Sequence, residues 1–205
     1  HRCLVIGEDL GTVPPEVPAL MEKRGLLSYR LLWFEKAGVD AMAPPTAYPR
    51  HAAVAATTHD LPTMVGWWQG RDLELRSRLG LFRSTAEADD QAQSRARDRA
   101  ALVRALQQEG LLPAGVDPAG PLEALPMDEA LRLAVHCYLA RTPSIMMLVQ
   151  PEDIFGVVEQ ANLPGTTHEH PNWQRKLPVP VEEWATDERM QRLAKALRDQ
   201  GRGRA

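Results

Sequence analysis

Four short apolar runs constrain the fold of this chain more than any other feature. They are rich in Val, Ile and Leu and do not alternate with polar residues, which is typical of strands covered on both faces in a parallel sheet. The runs are Cys3 to Ile6, Ser28 to Trp33, Ala52 to Thr57 and Ser144 to Val149. Because parallel strands need long, usually helical, crossover connections, the pattern predicts an α/β fold.

The segments between the runs carry helix and loop signals. A helix is predicted from Pro15 to Arg24, since proline suits a helix start and Gly25 suits its end. Three prolines in Ala37 to Arg50 exclude a regular helix and predict an ordered loop. At the end of the chain, Asp187 to Gln200 is predicted to be an amphipathic helix, with one face made of Met190, Leu193, Ala194 and Leu197.

A mainly helical excursion is predicted from Leu61 to Pro143. Ser84 and Glu87 have the spacing of a capping box, and the polar helix that follows to Gln108 is expected to face solvent. By contrast, Met127 to Tyr138 is apolar nearly all round and is expected to be buried. The chain is thereby divided into strands and loops at 1–60, a helical insertion at 61–143, and a last strand with a loop and helix at 144–205.

Composition excludes several classes of function. The chain has 205 residues, is 44% hydrophobic and carries a net charge of −3 without a basic stripe, which argues against nucleic acid as a partner. No apolar stretch approaches the ~20 residues of a spanning helix, so no membrane partner is expected and the cytoplasm is the expected location. Cys3 and Cys137 lie in apolar surroundings and are expected to be two buried thiols.

Acidic residues follow two of the predicted strands. Glu8 and Asp9 follow the first run, and Asp60 follows the third with His59 beside it. Glycosidic-bond chemistry requires such carboxylates, because one protonates the leaving oxygen while others face an oxocarbenium-like carbon. The structural alternatives are that Glu8 and Asp9 cap a turn, that Asp60 caps a helix starting near Leu61, and that His59 is a core histidine.

Other segments leave alternatives open. Glu152 and Asp153 after the fourth run repeat the pattern of Glu8 and Asp9, and spacing alone does not separate the two pairs. Trp67 and Trp68 offer flat faces for sugar stacking, or belong to the core. The polar loop from Asn162 to Trp173 contains His168, Glu169 and His170, a weak zinc pattern, so a substrate-contacting or structural loop is favoured, with no metal or cofactor expected.

Several ordered motifs together resemble one known family. They are Gly7-Glu8-Asp9-Leu10-Gly11-Thr12-Val13-Pro14, Ser28 to Glu35, Pro49-Arg50, Thr57-Thr58-His59-Asp60-Leu61-Pro62-Thr63 with Gly66-Trp67-Trp68, and Asn162-Leu163-Pro164-Gly165-Thr166. The chain resembles the amylomaltases, the 4-α-glucanotransferases of glycoside hydrolase family 77, over essentially its whole length. This resemblance implies a (β/α)8 barrel that acts on α-1,4-glucans and maltooligosaccharides by a retaining, two-step mechanism.

The resemblance also implies roles for individual residues. Glu8 matches the family's general acid/base, Asp60 its transition-state-stabilising aspartate, and His59 the histidine that holds the sugar at the cleavage subsite. Asn162 and Pro164 match the loop that lines the glucan channel. The Trp67-Trp68 pair is a further candidate for substrate binding.

The family's nucleophile is an aspartate in an Arg-x-Asp motif upstream of the acid/base motif, and only seven residues precede Glu8. Because His1 is not a start methionine and an apolar run follows at once, the expected fold is the carboxyl-terminal half of a (β/α)8 TIM barrel. That half would contain strands five to eight with a helical insertion before the last, and its partner would be the missing amino-terminal half. The alternatives are an open sheet, an α-glucan hydrolase of the amylase type, and a non-catalytic glucan-binding remnant.

Overall fold

The computed structural model describes residues 3–203, so His1 and the outer ends of the predicted segments 1–60 and 144–205 lie outside the described residues. The strands are β1 (Ser28–Leu31), β2 (Lys36–Gly38), β3 (Ala41–Met42), β4 (Ala52–Ala55) and β5 (Met146–Met147). The α-helices are α1 (Val17–Arg24), α2 (Met64–Gln69), α3 (Arg71–Arg78), α4 (Thr85–Gln108), α5 (Glu129–Ala140), α6 (Pro151–Phe155) and α7 (Glu188–Asp199). Two 3-10 turns lie at Pro45–Ala47 and Val181–Glu183.

The main sheet is parallel and has the strand order β1-β4-β5. A parallel bridge from Ile6 to Leu27 extends this arrangement on the β1 side. There the Leu27 N–H donates to the Val5 carbonyl at 2.9 Å and the Gly7 N–H donates to the Leu27 carbonyl at 2.8 Å. The four predicted runs therefore lie side by side in chain order, and the α/β architecture is as predicted.

The first run differs from its prediction. It contributes a single bridge residue, and Leu4 and Val5 keep 51% and 46% of their surface exposed. Burial fails because the run lies at the edge of the sheet, next to β1. The prediction of two buried thiols is wrong for Cys3, which is exposed with this edge, and right for Cys137 in α5.

The helices between β4 and β5 build the core on the sheet. The capping signature at α4 is real, since Ser84 Oγ accepts from the Glu87 N–H at 3.2 Å. The expectation that this helix faces solvent holds only for its first part, because Leu102 and Leu106 near its end are fully buried in a cluster with Val54. Helix α5 is largely buried, and its Tyr138 hydroxyl donates to the Ala43 carbonyl at 2.7 Å.

Smaller elements complete the structure. The proline-rich segment forms the antiparallel pair β2-β3 and a 3-10 turn, not a regular helix. Helix α7 packs Leu193, Met190 and Leu197 against α6, whereas Ala194 is exposed, so the apolar face is narrower than predicted. Among the described helices, none combines the length and the apolar character that crossing a membrane requires.

Candidate active site

The carboxyl ends of the parallel segments meet at one edge of the sheet, and a cleft of about 390 Å³ opens there. Each segment contributes to its wall: Glu8 follows the Ile6 bridge, Phe34 follows β1, His59 and Asp60 follow β4, and Gln150 follows β5. Reacting groups are usually found at this edge of a parallel α/β sheet. The full lining is Glu8, Leu10, Gly11, Tyr29, Phe34, Thr58, His59, Asp60, Leu61 and Gln150.

Asp60 is held by neighbours on both of its oxygens. The Asn162 side-chain amide donates to Oδ1 at 2.6 Å, and the His59 ring Nε2 lies 3.4 Å from Oδ2. The Asp60 N–H donates to the Thr58 hydroxyl at 3.2 Å, which fixes the turn after β4. The Asp60 side chain remains 46% exposed, so one carboxylate is oriented without being sealed from the cleft.

The structural alternatives for this segment are wrong. Helix α2 is capped by Thr63, whose hydroxyl accepts from the Gly66 N–H at 3.0 Å, and not by Asp60. The His59 side chain is 60% exposed and is therefore not a core histidine. Both side chains are available to a molecule in the cleft.

In the first Glu-Asp pair the two acids have different environments. Asp9 is buried, accepts the Tyr29 N–H at 2.8 Å and pairs with the Arg30 guanidinium at 3.1 Å. It therefore fastens this loop to β1. Glu8 is exposed on the cleft wall. The pKa of the Tyr29 phenol is raised by burial and then by the charge of Glu8, and both side chains line the cleft.

The second Glu-Asp pair repeats this division. Asp153 is fully buried, accepts the Met64 N–H at 2.7 Å, and has its pKa raised by burial to about 7. Glu152 is half-buried on a small cavity of about 10 Å³ beside Thr58 and His59. Glu8 shares the larger cleft with Asp60. Spacing alone could not separate the two glutamates, and this placement favours Glu8.

The polar loop predicted to contact substrate also meets Asp60. Besides the Asn162 contact, a second cleft of about 390 Å³ contains Pro164 and Gly165 in its wall. Asp60 and Leu61 line both clefts, so Asp60 stands where the two meet. The structure thus brings four predicted residues to the walls of adjoining clefts, Glu8, His59, Asp60 and Pro164, and Asn162 contacts Asp60 beside them.

Trp67 is the predicted binding residue that the structure places elsewhere. Its side chain is buried in the core, where the indole stacks on Trp33 with 3.9 Å between ring centroids and 13° between planes. The Arg95 guanidinium lies 4.7 Å from the same ring. Trp68 is also buried and donates its indole N–H to the Leu125 carbonyl. Helix α2 turns both rings inward, so neither presents a face to a sugar.

Sequence reasoning missed several residues of the site. Tyr29, Phe34 and Gln150 line the main cleft, and their signal was position, since all lie on or just after predicted strands. Trp173 contacts the His59 ring at 5.2 Å between centroids, although it lies at the far end of the polar loop. No spacing rule connects residues 59 and 173.

The weak zinc pattern has a structural explanation. Glu169 accepts hydrogen bonds from the Thr167 and His168 N–H groups, which lower the pKa of its carboxyl. His170 is buried with its Nε2 3.2 Å from the Gln160 carbonyl oxygen. Within residues 3–203, no group of three or more His, Cys, Asp or Glu side chains is arranged to hold a metal ion.

Comparison with known proteins adds independent information. A family model described as 4-alpha-glucanotransferase matches residues 1–181. The 4-alpha-glucanotransferase of Mycobacterium tuberculosis H37Rv is 38% identical over 210 residues, which cover 97% of this chain and 28% of that protein. The Haemophilus influenzae 4-alpha-glucanotransferase is 35% identical over 181 residues, covering 88% of this chain and 25% of its own length. The chain therefore spans about a quarter of the length of these relatives.

Solved structures agree with the sequence relatives. The crystal structure of amylomaltase from Corynebacterium glutamicum superposes with a TM-score of 0.82 and 28% identity, over 95% of this chain and 28% of that one. Amylomaltase from Streptococcus agalactiae, solved in complex with acarbose, superposes with a TM-score of 0.61 over 97% of this chain and 32% of that one. At 18% identity, the second match supports the fold alone.

Proposed function

Because this chain belongs to the 4-alpha-glucanotransferase family, we propose that it is the carboxyl-terminal part of an amylomaltase. The complete polypeptide would transfer α-1,4-glucan segments between maltooligosaccharides. The observation that carries this proposal is the meeting of Glu8 and Asp60, 52 positions apart, in the wall of one cleft at the carboxyl edge of a parallel sheet. A glycoside-cleaving site requires two carboxyl groups, and such an edge is where they are usually found.

The same proposal explains the shape of the sheet. The four parallel segments would be strands five to eight of a (β/α)8 barrel, and α2 to α5 would form the insertion before the last. The exposed edge at Leu4 and Val5 would then pair with strand four of a preceding half, because unpaired edges are normally covered or closed in a barrel. The relatives, of which this chain covers 25% to 28%, have ample length for such a half.

In the first step of the proposed reaction, an aspartate from an Arg-x-Asp motif in the preceding half attacks the anomeric carbon. The bond from that carbon to the departing sugar oxygen breaks, and Glu8 gives its proton to that oxygen. In the second step Glu8 takes the proton from an acceptor hydroxyl, whose oxygen displaces the aspartate. Retention of configuration follows from the two displacements.

Asp60 would stabilise the positive charge that develops on the sugar between these steps. Its orientation supports this role, because Asn162 at 2.6 Å and His59 at 3.4 Å occupy separate oxygens of one carboxylate. A carboxylate that is oriented before the reaction does not have to reorganise as charge appears. His59 and the loop at Pro164 would hold the donor glucan on either side of Asp60.

Incubation with maltotriose tests the proposal. The complete polypeptide, which is this chain preceded by the proposed half, should produce glucose together with longer maltooligosaccharides. This chain alone should produce neither, because the proposed nucleophile would lie in the preceding half. Glucose and maltose without longer products would show a hydrolase, and an inactive complete polypeptide that still binds glucan would show a non-catalytic remnant.

A further inference from the structure

One aromatic side chain next to the site stands out from the core instead of packing into it. Trp173 keeps 64% of its surface exposed, and its backbone φ of 60° lies in the left-handed region. Among residues 3–203, Trp173 is the one residue other than glycine that has a positive φ. A bulky residue adopts this conformation only where the surrounding structure imposes it, and such residues cluster at functional sites.

Hydrogen bonds at Trp173 and at the residue before it impose this conformation. The Trp173 N–H donates to the Ala161 carbonyl at 3.0 Å. The preceding side chain, Asn172, accepts from the Leu163 N–H at 2.8 Å and donates to the Thr166 hydroxyl at 2.9 Å. The loop is therefore closed on itself, and the indole is held outside it by backbone contacts.

The surroundings of the indole are polar. Its ring lies 5.2 Å from the His59 ring at 47°, His59 lies against Asp60, and Asp60 accepts from Asn162. An aromatic face beside an imidazole and a carboxylate matches a pyranose, whose C–H face stacks on the ring while its hydroxyls reach the polar groups. A protein segment that covered Trp173 would have to bury these polar side chains as well, which is costly.

We propose that Trp173 is a stacking platform for a glucosyl unit of the substrate, adjacent to the unit held by His59 and Asp60. This inference rests on the proposed function and names a binding residue that it does not require. The platform makes Trp173 a determinant of affinity for oligosaccharides, with no role in proton transfer.

The backbone conformation supplies a sharp test in the complete polypeptide. Trp173→Gly removes the ring and places at φ 60° the residue that suits this angle, so the unfolding midpoint should match or exceed that of the parent. The KM for maltooligosaccharides should rise about tenfold while kcat is largely kept, and Trp173→Phe should restore most of the affinity. Val181→Ala, at a side chain of equal 64% exposure, should behave as the parent.

Tryptophan fluorescence gives a second measurement. Maltooligosaccharide should change the emission of the parent, and that change should be absent from Trp173→Phe.

A parental KM in Trp173→Gly would overturn the inference, as would the parental fluorescence change in Trp173→Phe. A lowered unfolding midpoint with unchanged KM would overturn it too, by showing that the ring packs against protein. If the parent itself fails to disproportionate maltotriose, the proposed function fails, whereas an active parent matched by Trp173→Gly refutes only the platform.

Discussion

Replacing the buried Asp153 with Asn should remove a pH-dependent decrease in the free energy of unfolding. One carboxyl oxygen accepts the Met64 N–H at 2.7 Å, and the other has no hydrogen-bond partner among the described residues. Burial raises the pKa of this carboxyl from 3.8 to about 7, opposed by the Met64 hydrogen bond. The amide keeps the shape and the acceptor of the carboxyl but cannot ionise.

The direction of the effect follows from proton counts. Between about pH 4 and pH 7 the folded state keeps the Asp153 proton while the unfolded state has lost it. The free energy of unfolding therefore falls as pH rises through this window and is flat above it. The full difference between the two pKa values corresponds to on the order of 4 kcal/mol, and roughly 2–3 kcal/mol of it develops between pH 5 and pH 8.

His136 has the opposite effect in an overlapping window. Burial lowers the pKa of its ring from 6.5 to about 4, so between these pH values the folded state lacks a proton that the unfolded state holds. The free energy of unfolding consequently rises with pH from 4 to 6.5. In the parent, Asp153 and His136 therefore change the free energy of unfolding in opposite directions over this pH range. Replacing either residue should reveal the pH dependence that the other produces.

Urea unfolding of the complete polypeptide at pH 5 and pH 8 measures both effects. Relative to the parent, Asp153→Asn should gain roughly 2–3 kcal/mol more stability at pH 8 than at pH 5. His136→Gln should gain more stability relative to the parent at pH 5 than at pH 8. An Asp153→Asn effect of the same size at both pH values would refute the argument that this carboxyl is protonated because it is buried.

Three further outcomes are expected in the complete polypeptide. Asp60→Asn should lower kcat on the order of 10²-fold or more in steady-state disproportionation, with glucan affinity little changed, because charge stabilisation acts in the transition state; an effect confined to affinity would assign Asp60 to sugar positioning. His59→Ala should act mainly on donor KM, and an equal fall in kcat would contradict a holding role. Trp67→Ala should cost about 3–5 kcal/mol of stability in chemical unfolding and leave KM of the folded enzyme near parental, whereas a stable variant with raised KM would contradict its place in the core.

Local sequence patterns predicted the main strands and helix ends of the molecule well. The runs at β1, β4 and β5, the cap at Ser84 and the left-handed Gly25 after α1 all depend on neighbouring residues, which the sequence displays directly. The carboxylates at strand ends followed from the same logic, because parallel strands end at one edge.

The errors concern burial and orientation, which depend on distant partners. Cys3 looked buried because its run is apolar, but burial requires a neighbour on each side, and this run has β1 on one side. Trp67 looked like a sugar platform because it follows Asp60 closely, yet one turn of α2 directs it to Trp33. Trp173 was predicted only as the end of a substrate-contacting or structural loop, and its contact with His59 was missed because that contact closes a loop of more than a hundred residues.

The most direct test of the central claim compares Glu8→Gln with Glu152→Gln in the complete polypeptide. The two glutamates occupy equivalent motifs, but only Glu8 shares the larger cleft with Asp60. Steady-state disproportionation of maltotriose should fall by several orders of magnitude in Glu8→Gln while glucan binding is kept, because the amide cannot exchange a proton. Glu152→Gln should lose far less. The opposite ranking, or near-parental turnover in Glu8→Gln, would contradict the assignment of Glu8 as the acid/base of this site.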